Sequence, residues 1–320
     1  MMCASDNYQL PITNYQLPIT NYQLPMFNLL TEPLSFEFMR LALVTAILLG
    51  ILCSVIGTYL IVQRMGLLGD VIAHAVLPGL AIAFFLGIDI FVGAFISGTL
   101  STFVISWIQS QSRIKVDVAM ALVFSGFLAL GITLITVLKS KLDLHQFLFG
   151  DLLGVTTIDV WKTCAIAIII LLLVKLFYKE LLFYTFDPLG AQAVGLPVNL
   201  IHLGLTAAIT LTIIASMQAV GIVLVVSLLI GPGATAYLLV KELHQMMIFG
   251  AVIGSFSSVT GMYFSYYFNV PSGAAIVLVV SGLFILALLF SPSQGILTQP
   301  AVANRSLSIL GQFKQSNKRI

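Results

Sequence analysis

Asp70 and His74 are the pair on which chemistry can be built. They stand four residues apart in RMGLLGDVIAHAVLPG (64–79), a stretch that is otherwise apolar. On a helix that spacing stacks both side chains on one face, one turn apart. A carboxylate and an imidazole on one face can share a divalent cation. The plainer alternative makes Asp70 a helix N-cap and His74 a hydrogen-bonded interior residue. Pro78, one turn further on, removes a backbone donor and bends the helix there.

The surroundings of that pair are membrane-like. Of 320 residues, 59% are hydrophobic and 8% charged, against about 25% charged in an ordinary soluble domain. No Asp, Glu, Lys or Arg occurs at 41–63, 71–88, 90–112, 118–138, 188–240 or 243–304. A span takes about 20 apolar residues, so the last two runs hold two spans each. An ionisable pair inside such a segment is expensive unless it lines a polar path or meets a partner. The net charge of +2 gives no argument for nucleic acid. Cys3, Cys53 and Cys164 are too far apart for a thiolate metal site or a disulfide frame.

The expected fold is an all-α polytopic membrane protein with about nine transmembrane helices, or eight if the first span or the 142–155 segment is misassigned. The spans fall near 41–62, 67–86, 90–108, 118–138, 161–178, 200–216, 220–240, 246–268 and 273–289. Gly50, Ser54 and Gly57 in the first span, and Gly93, Ser97 and Ser101 in the third, are small residues at helical spacing that let a neighbouring helix approach closely. Gly231, Pro232 and Gly233 are expected to break the seventh span in mid-membrane. His145 and Asp151, in the longest mixed stretch, are secondary metal candidates; the plainer reading makes them interfacial residues of a short re-entrant helix.

Between the fifth and sixth spans, FYTFDPLGAQAVGLP (183–197) predicts a short capped helix. Asp187 suits the N-cap, Pro188 the first turn and Gly195 the stop. An Ala- and Gly-rich surface of this kind can dock another protein. With nine spans and a cytoplasmic C-terminus, Arg64, Arg113, Lys115, Lys175, Lys179 and Lys241 fall inside with the basic tail. Only Arg40, Lys139, Lys141 and Lys162 fall outside, as the positive-inside rule requires. The same orientation puts 183–197 in the cytoplasm.

The ends read differently. NYQLPIT at 7–13, NYQLPIT at 14–20 and NYQLPM at 21–26 form a polar repeat too short to pack. Asn-Tyr-Gln-Leu-Pro-Ile-Thr can be written in DNA as AATTACC three times over, so a tandem repeat upstream of the gene would give this segment and the working start is expected at Met26. The domains are therefore a low-complexity extension at 1–35, a membrane domain at 36–290 and a polar basic tail at 291–320.

The stretches QRMGLLGDVIAHAVLPGLA (63–81), FLFGDLLGV (147–155), FDPLGAQAVGLP (186–197) and GIVLVVSLLIGPGATAYLL (221–239) together resemble the membrane permease subunit of bacterial ABC importers for manganese, zinc and iron. The resemblance runs over 36–295 and is nearest the manganese branch. It implies an ABC importer permease fold, a homodimer with the pore on its axis, two cytoplasmic ATPase subunits and an extracytoplasmic metal-binding protein. It implies Asp70 and His74 as the metal-handling pair. Phe186, Asp187, Pro188, Ala191 and Gly195 would form the segment that docks on the ATPase. No cofactor is bound permanently; Mn²⁺ is the first expected cargo, with Zn²⁺ or Fe²⁺ as alternatives. Pro232–Gly233 departs from the Pro-Ala-Ala of many relatives but keeps the position small.

No GxxxxGK[ST] motif is present, so energy must come from a partner, or else transport is passive. No HExxH, partnered serine nucleophile or pair of membrane aspartates suggests an enzyme. A passive metal channel is the alternative of another class.

Overall fold

A charge-free chain in a membrane must satisfy its backbone internally, and helices do so within one segment. The computed structural model describes residues 31–138, 150, 152–291 and 295, and among these are nine helical segments long and apolar enough to span a membrane. The three N-terminal repeats, His145 and Asp151, and almost all of the basic tail lie outside the described residues.

Helix α1 (Glu37–Val62) forms the centre. The second span is two helices, α2 (Leu67–Ala75) and α3 (Leu77–Leu86), followed by α4 (Ile90–Gln111) and α5 (Val116–Val137). Then come α6 (Thr157–Leu176), two short helices α7 (Tyr178–Phe186) and α8 (Pro188–Ala193), and the last four spans. These are α9 (Val198–Val220), α10 (Ile222–Leu239), α11 (Leu243–Phe268) and α12 (Ser272–Phe290). The spans agree with the sequence expectation to within a few residues. Helix α6 starts earlier than expected because Thr156 and Asp159 close a capping box, the Thr156 amide donating to Asp159 Oδ2 at 3.1 Å. Helix α7 was not anticipated.

Small residues set the central packing. A Cβ on Gly50 would sit 2.8 Å from the Gly254 carbonyl carbon of α11, and one on Gly57 would collide with the Leu229 carbonyl oxygen of α10. The α3–α4 crossing repeats this at Gly79 and Gly93, whose backbones touch. One residue group further along, Ser97 Oγ donates to the Ala75 carbonyl at 2.7 Å.

Two prolines have opposite outcomes. The second span is interrupted at Val76, with Pro78 in the first turn of α3. A proline there has no N–H for the His74 carbonyl four residues back, and its ring crowds that carbonyl. The expected break at Gly231–Pro232–Gly233 is corrected: α10 remains one helix from Ile222 to Leu239 with Pro232 inside it. Packing explains the difference. Pro232 and Gly233 are buried, and Gly233 lies flush against the Gly57–Thr58 backbone of α1. That contact holds the helix together at the cost of one missing donor to the Leu228 carbonyl.

Candidate metal-handling site and cytoplasmic segment

Helix α2 starts at Leu67 with Gly66 at its N-cap, so Asp70 lies inside the first turn and caps nothing. Its carboxylate Oδ1 is 3.6 Å from His74 Nε2. That separation is too long for a hydrogen bond, so the two groups stand side by side without locking together. The Asp70 side chain is 43% exposed and that of His74 18%. Asp70 therefore looks out of the helical bundle while His74 is sheltered.

The shelter comes from α5, where the Phe124 ring meets the imidazole edge-on with centroids 5.1 Å apart. On another side of α2, Gly69 lets the Leu229 side chain of α10 approach closely. His74 Nδ1 is buried without a hydrogen-bond partner. Neither half of the plainer alternative, an N-cap aspartate and a satisfied core histidine, is what the fold builds. It builds a carboxylate oxygen and an imidazole with an uncommitted nitrogen, one helical turn apart.

No group of three or more His, Cys, Asp or Glu side chains able to hold a metal occurs among the described residues. A cation at this pair must complete its coordination from outside those side chains. Among the described residues, Cys53 is buried, Cys164 is half-buried, and neither is in a disulfide.

The segment at 186–197 takes the form its residue types predicted. Asp187 Oδ1 accepts from the Gly190 amide at 2.8 Å, Pro188 occupies the first turn of α8, and Gly195 has φ +89°. A Cβ on Gly190 would strike the capping carboxylate, so the cap needs glycine there. Ala191 is fully buried. Around it, Phe186, Leu189 and Val194 are 59%, 80% and 73% exposed. These three apolar side chains are exposed close together in sequence around one buried alanine.

Sequence reasoning missed His202 on α9. Its Nδ1 is 2.8 Å from the Tyr184 hydroxyl of α7, and its Nε2 is 3.0 Å from Ser106 Oγ of α4. Burial pushes the Tyr184 phenol above its ordinary pKa, so it stays protonated and able to donate. Gln63 Nε2, just beyond α1, donates to Thr185 Oγ1 at 3.3 Å. The helix leading into α8 is thus tied by side-chain hydrogen bonds to α4, α9 and the end of α1.

The family model for the ABC 3 transport family matches residues 35–291. The chain belongs to the ABC 3 transport family. Among curated members, the manganese transport system membrane protein MntC of Halalkalibacterium halodurans is 48% identical over 267 residues, covering 83% of this chain and 91% of that protein. The chelated iron transport system membrane protein YfeD of Yersinia pestis is 37% identical over 265 residues, covering 83% and 89%. Among solved structures, PsaBC from Streptococcus pneumoniae in complex with Fab superimposes with a TM-score of 0.76 at 42% identity, covering 84% of this chain and 97% of that one. The all-helical permease fold and multi-pass membrane character expected of an ABC 3 family member agree with these likenesses and with the nine spans.

Proposed function

We propose that this ABC 3 family protein is the permease subunit of an ATP-driven importer of a divalent transition metal, manganese first, in the cytoplasmic membrane. The observation that carries the reading is the Asp70–His74 pair, an exposed carboxylate whose Oδ1 stands 3.6 Å from Nε2 of a sheltered imidazole without a hydrogen bond between them. Carboxylate oxygen with imidazole nitrogen suits Mn²⁺, Fe²⁺ and Zn²⁺, whereas copper(I) would want sulfur. Preference for manganese is supported by the 48% identity to a manganese transport protein, against 37% to one for chelated iron.

Two donors per chain hold a cation loosely, which transport needs: the cargo must leave. A second copy of the permease, facing the first across a two-fold axis, would bring a second pair to the same path and complete a transient four-donor site. Tight capture is then left to an extracytoplasmic metal-binding protein. The permease itself performs no hydrolysis; cytoplasmic ATPase subunits dock on α8 through Phe186, Leu189 and Val194. No cofactor is held between cycles.

The test is uptake of manganese and of zinc by cells carrying the chain with its ATPase and binding protein. Wild type is compared with Asp70→Asn and with loss of the ATPase. Manganese uptake lost in both variants supports the reading. Uptake that survives loss of the ATPase indicates a passive channel. Zinc or iron uptake without manganese keeps the mechanism and changes the cargo.

A further inference from the structure

Beside α8, a second site opens that the metal path does not use. The ends of α1, α7 and α10 and the start of α11 enclose a cavity of about 330 Å³, lined by Arg64, Thr185, Phe186, Tyr237, Lys241 and Met246 among others. Two of these are cations and none is an acid. The ion pairs found among the described residues are Asp70–His74 and Glu242–His244, so neither Arg64 nor Lys241 belongs to one. The nearest acid in sequence, Glu242, is engaged elsewhere: it lies 3.4 Å from His244 Nε2 and accepts from Gln245 at 2.9 Å.

Arg64 stands where the backbone would prefer glycine. Helix α1 ends in a Schellman turn, with the Met65 amide bonded to the Leu60 carbonyl at 2.8 Å and the Arg64 amide to that of Ile61 at 3.1 Å. That turn gives Arg64 φ +58°, a left-handed conformation costing a side-chain-bearing residue about 1 kcal/mol. Glycine would remove the cost and the charge together. Keeping arginine there places a guanidinium at the rim of a cavity that already holds an ammonium.

We propose that this dibasic cavity seats an acidic side chain of the cytoplasmic ATPase subunit, forming a second anchor next to α8. The inference rests on the coupling reading of α8. Phe186 both lines the cavity and leads directly into the Asp187 cap, so whatever covers the apolar surface of α8 also covers the cavity mouth. A carboxylate placed there meets two cations, and charge-assisted hydrogen bonds are about twice as strong as neutral ones. The apolar residues of α8 supply area; Arg64 and Lys241 supply orientation and encounter rate.

The experiment measures binding of the purified ATPase subunit to the full-length permease in nanodiscs of neutral or anionic lipid, over a range of salt. Arg64→Asn keeps a residue that tolerates the left-handed turn, and Lys241→Gln is an independent removal of charge. Thermal melting verifies that both remain folded. Each variant is expected to weaken binding about tenfold, with a flatter salt dependence, in neutral as in anionic nanodiscs. Leu189→Asp, on α8, abolishes binding. Unchanged affinity and salt slope in both charge variants, with Leu189→Asp still disruptive, overturns the anchor and leaves the coupling reading intact. A loss confined to anionic nanodiscs assigns the cavity to lipid headgroups and also overturns it. Binding indifferent to Leu189→Asp refutes the docking role of α8 and this proposal with it.

Discussion

The Tyr184 hydroxyl lies 2.8 Å from His202 Nδ1, joining the helix before α8 to a transmembrane span. The opposite imidazole nitrogen contacts Ser106 at 3.0 Å, so one ring bridges two partners. Tyr184→Phe removes one hydrogen bond and should destabilise by about 1 kcal/mol. His202→Ala removes both and leaves two hydroxyls unsatisfied, and should cost about 2–3 kcal/mol. Thermal melting of the two variants tests the order: His202→Ala must fall further than Tyr184→Phe.

Asp70→Asn keeps the shape of the side chain and removes its charge. Manganese uptake is expected to fall at least about tenfold, the scale on which even outer partners of metal ligands act. Binding of the ATPase subunit should be unchanged, which separates a pore defect from an assembly defect.

Gly57→Ala probes the α1–α10 contact. Its methyl would enter the Leu229 carbonyl oxygen, and backbone cannot step aside as a flexible side chain can. Overpacking of this kind costs on the order of 1–3 kcal/mol or more. Gly204→Ala in α9 is the control, since a Cβ there meets nothing within 4 Å. Folded yield should drop for the first and hold for the second.

Asp187→Ala removes the cap of α8 and should loosen it by about 0.5–2 kcal/mol. Hydrogen exchange at residues 188–195 should accelerate while the spans stay protected. On the docking role proposed for α8, ATP-driven uptake should fall with it, because that surface is no longer held in one shape.

What was legible in the sequence was local. Charge-free runs placed the nine spans, since membrane length is a property of a contiguous stretch. The Asp187 cap and Gly195 stop were readable because the residues that make them are neighbours in the chain. Asp70 and His74 were readable through their four-residue spacing. His202 was not: it sits alone in an apolar run, and its partners come from 18 and 96 residues away. The Arg64–Lys241 cavity was hidden for the same reason, assembled from three chain segments. Pro232 misled because a proline reports only the bond it removes, while the buried contact that keeps α10 whole belongs to α1.

The close backbone contacts of α1 with α10 at Gly57 and with α11 at Gly50 have a mechanical consequence. A helix seated carbonyl-against-glycine cannot slide by even one residue, about 1.5 Å, without driving a side chain into its neighbour's backbone. These three helices therefore behave as a keel that tilts as a whole. Relative movement is left to the spans around it, of which α5, α6 and α12 are the least buried within the protein, at 22%, 22% and 17%.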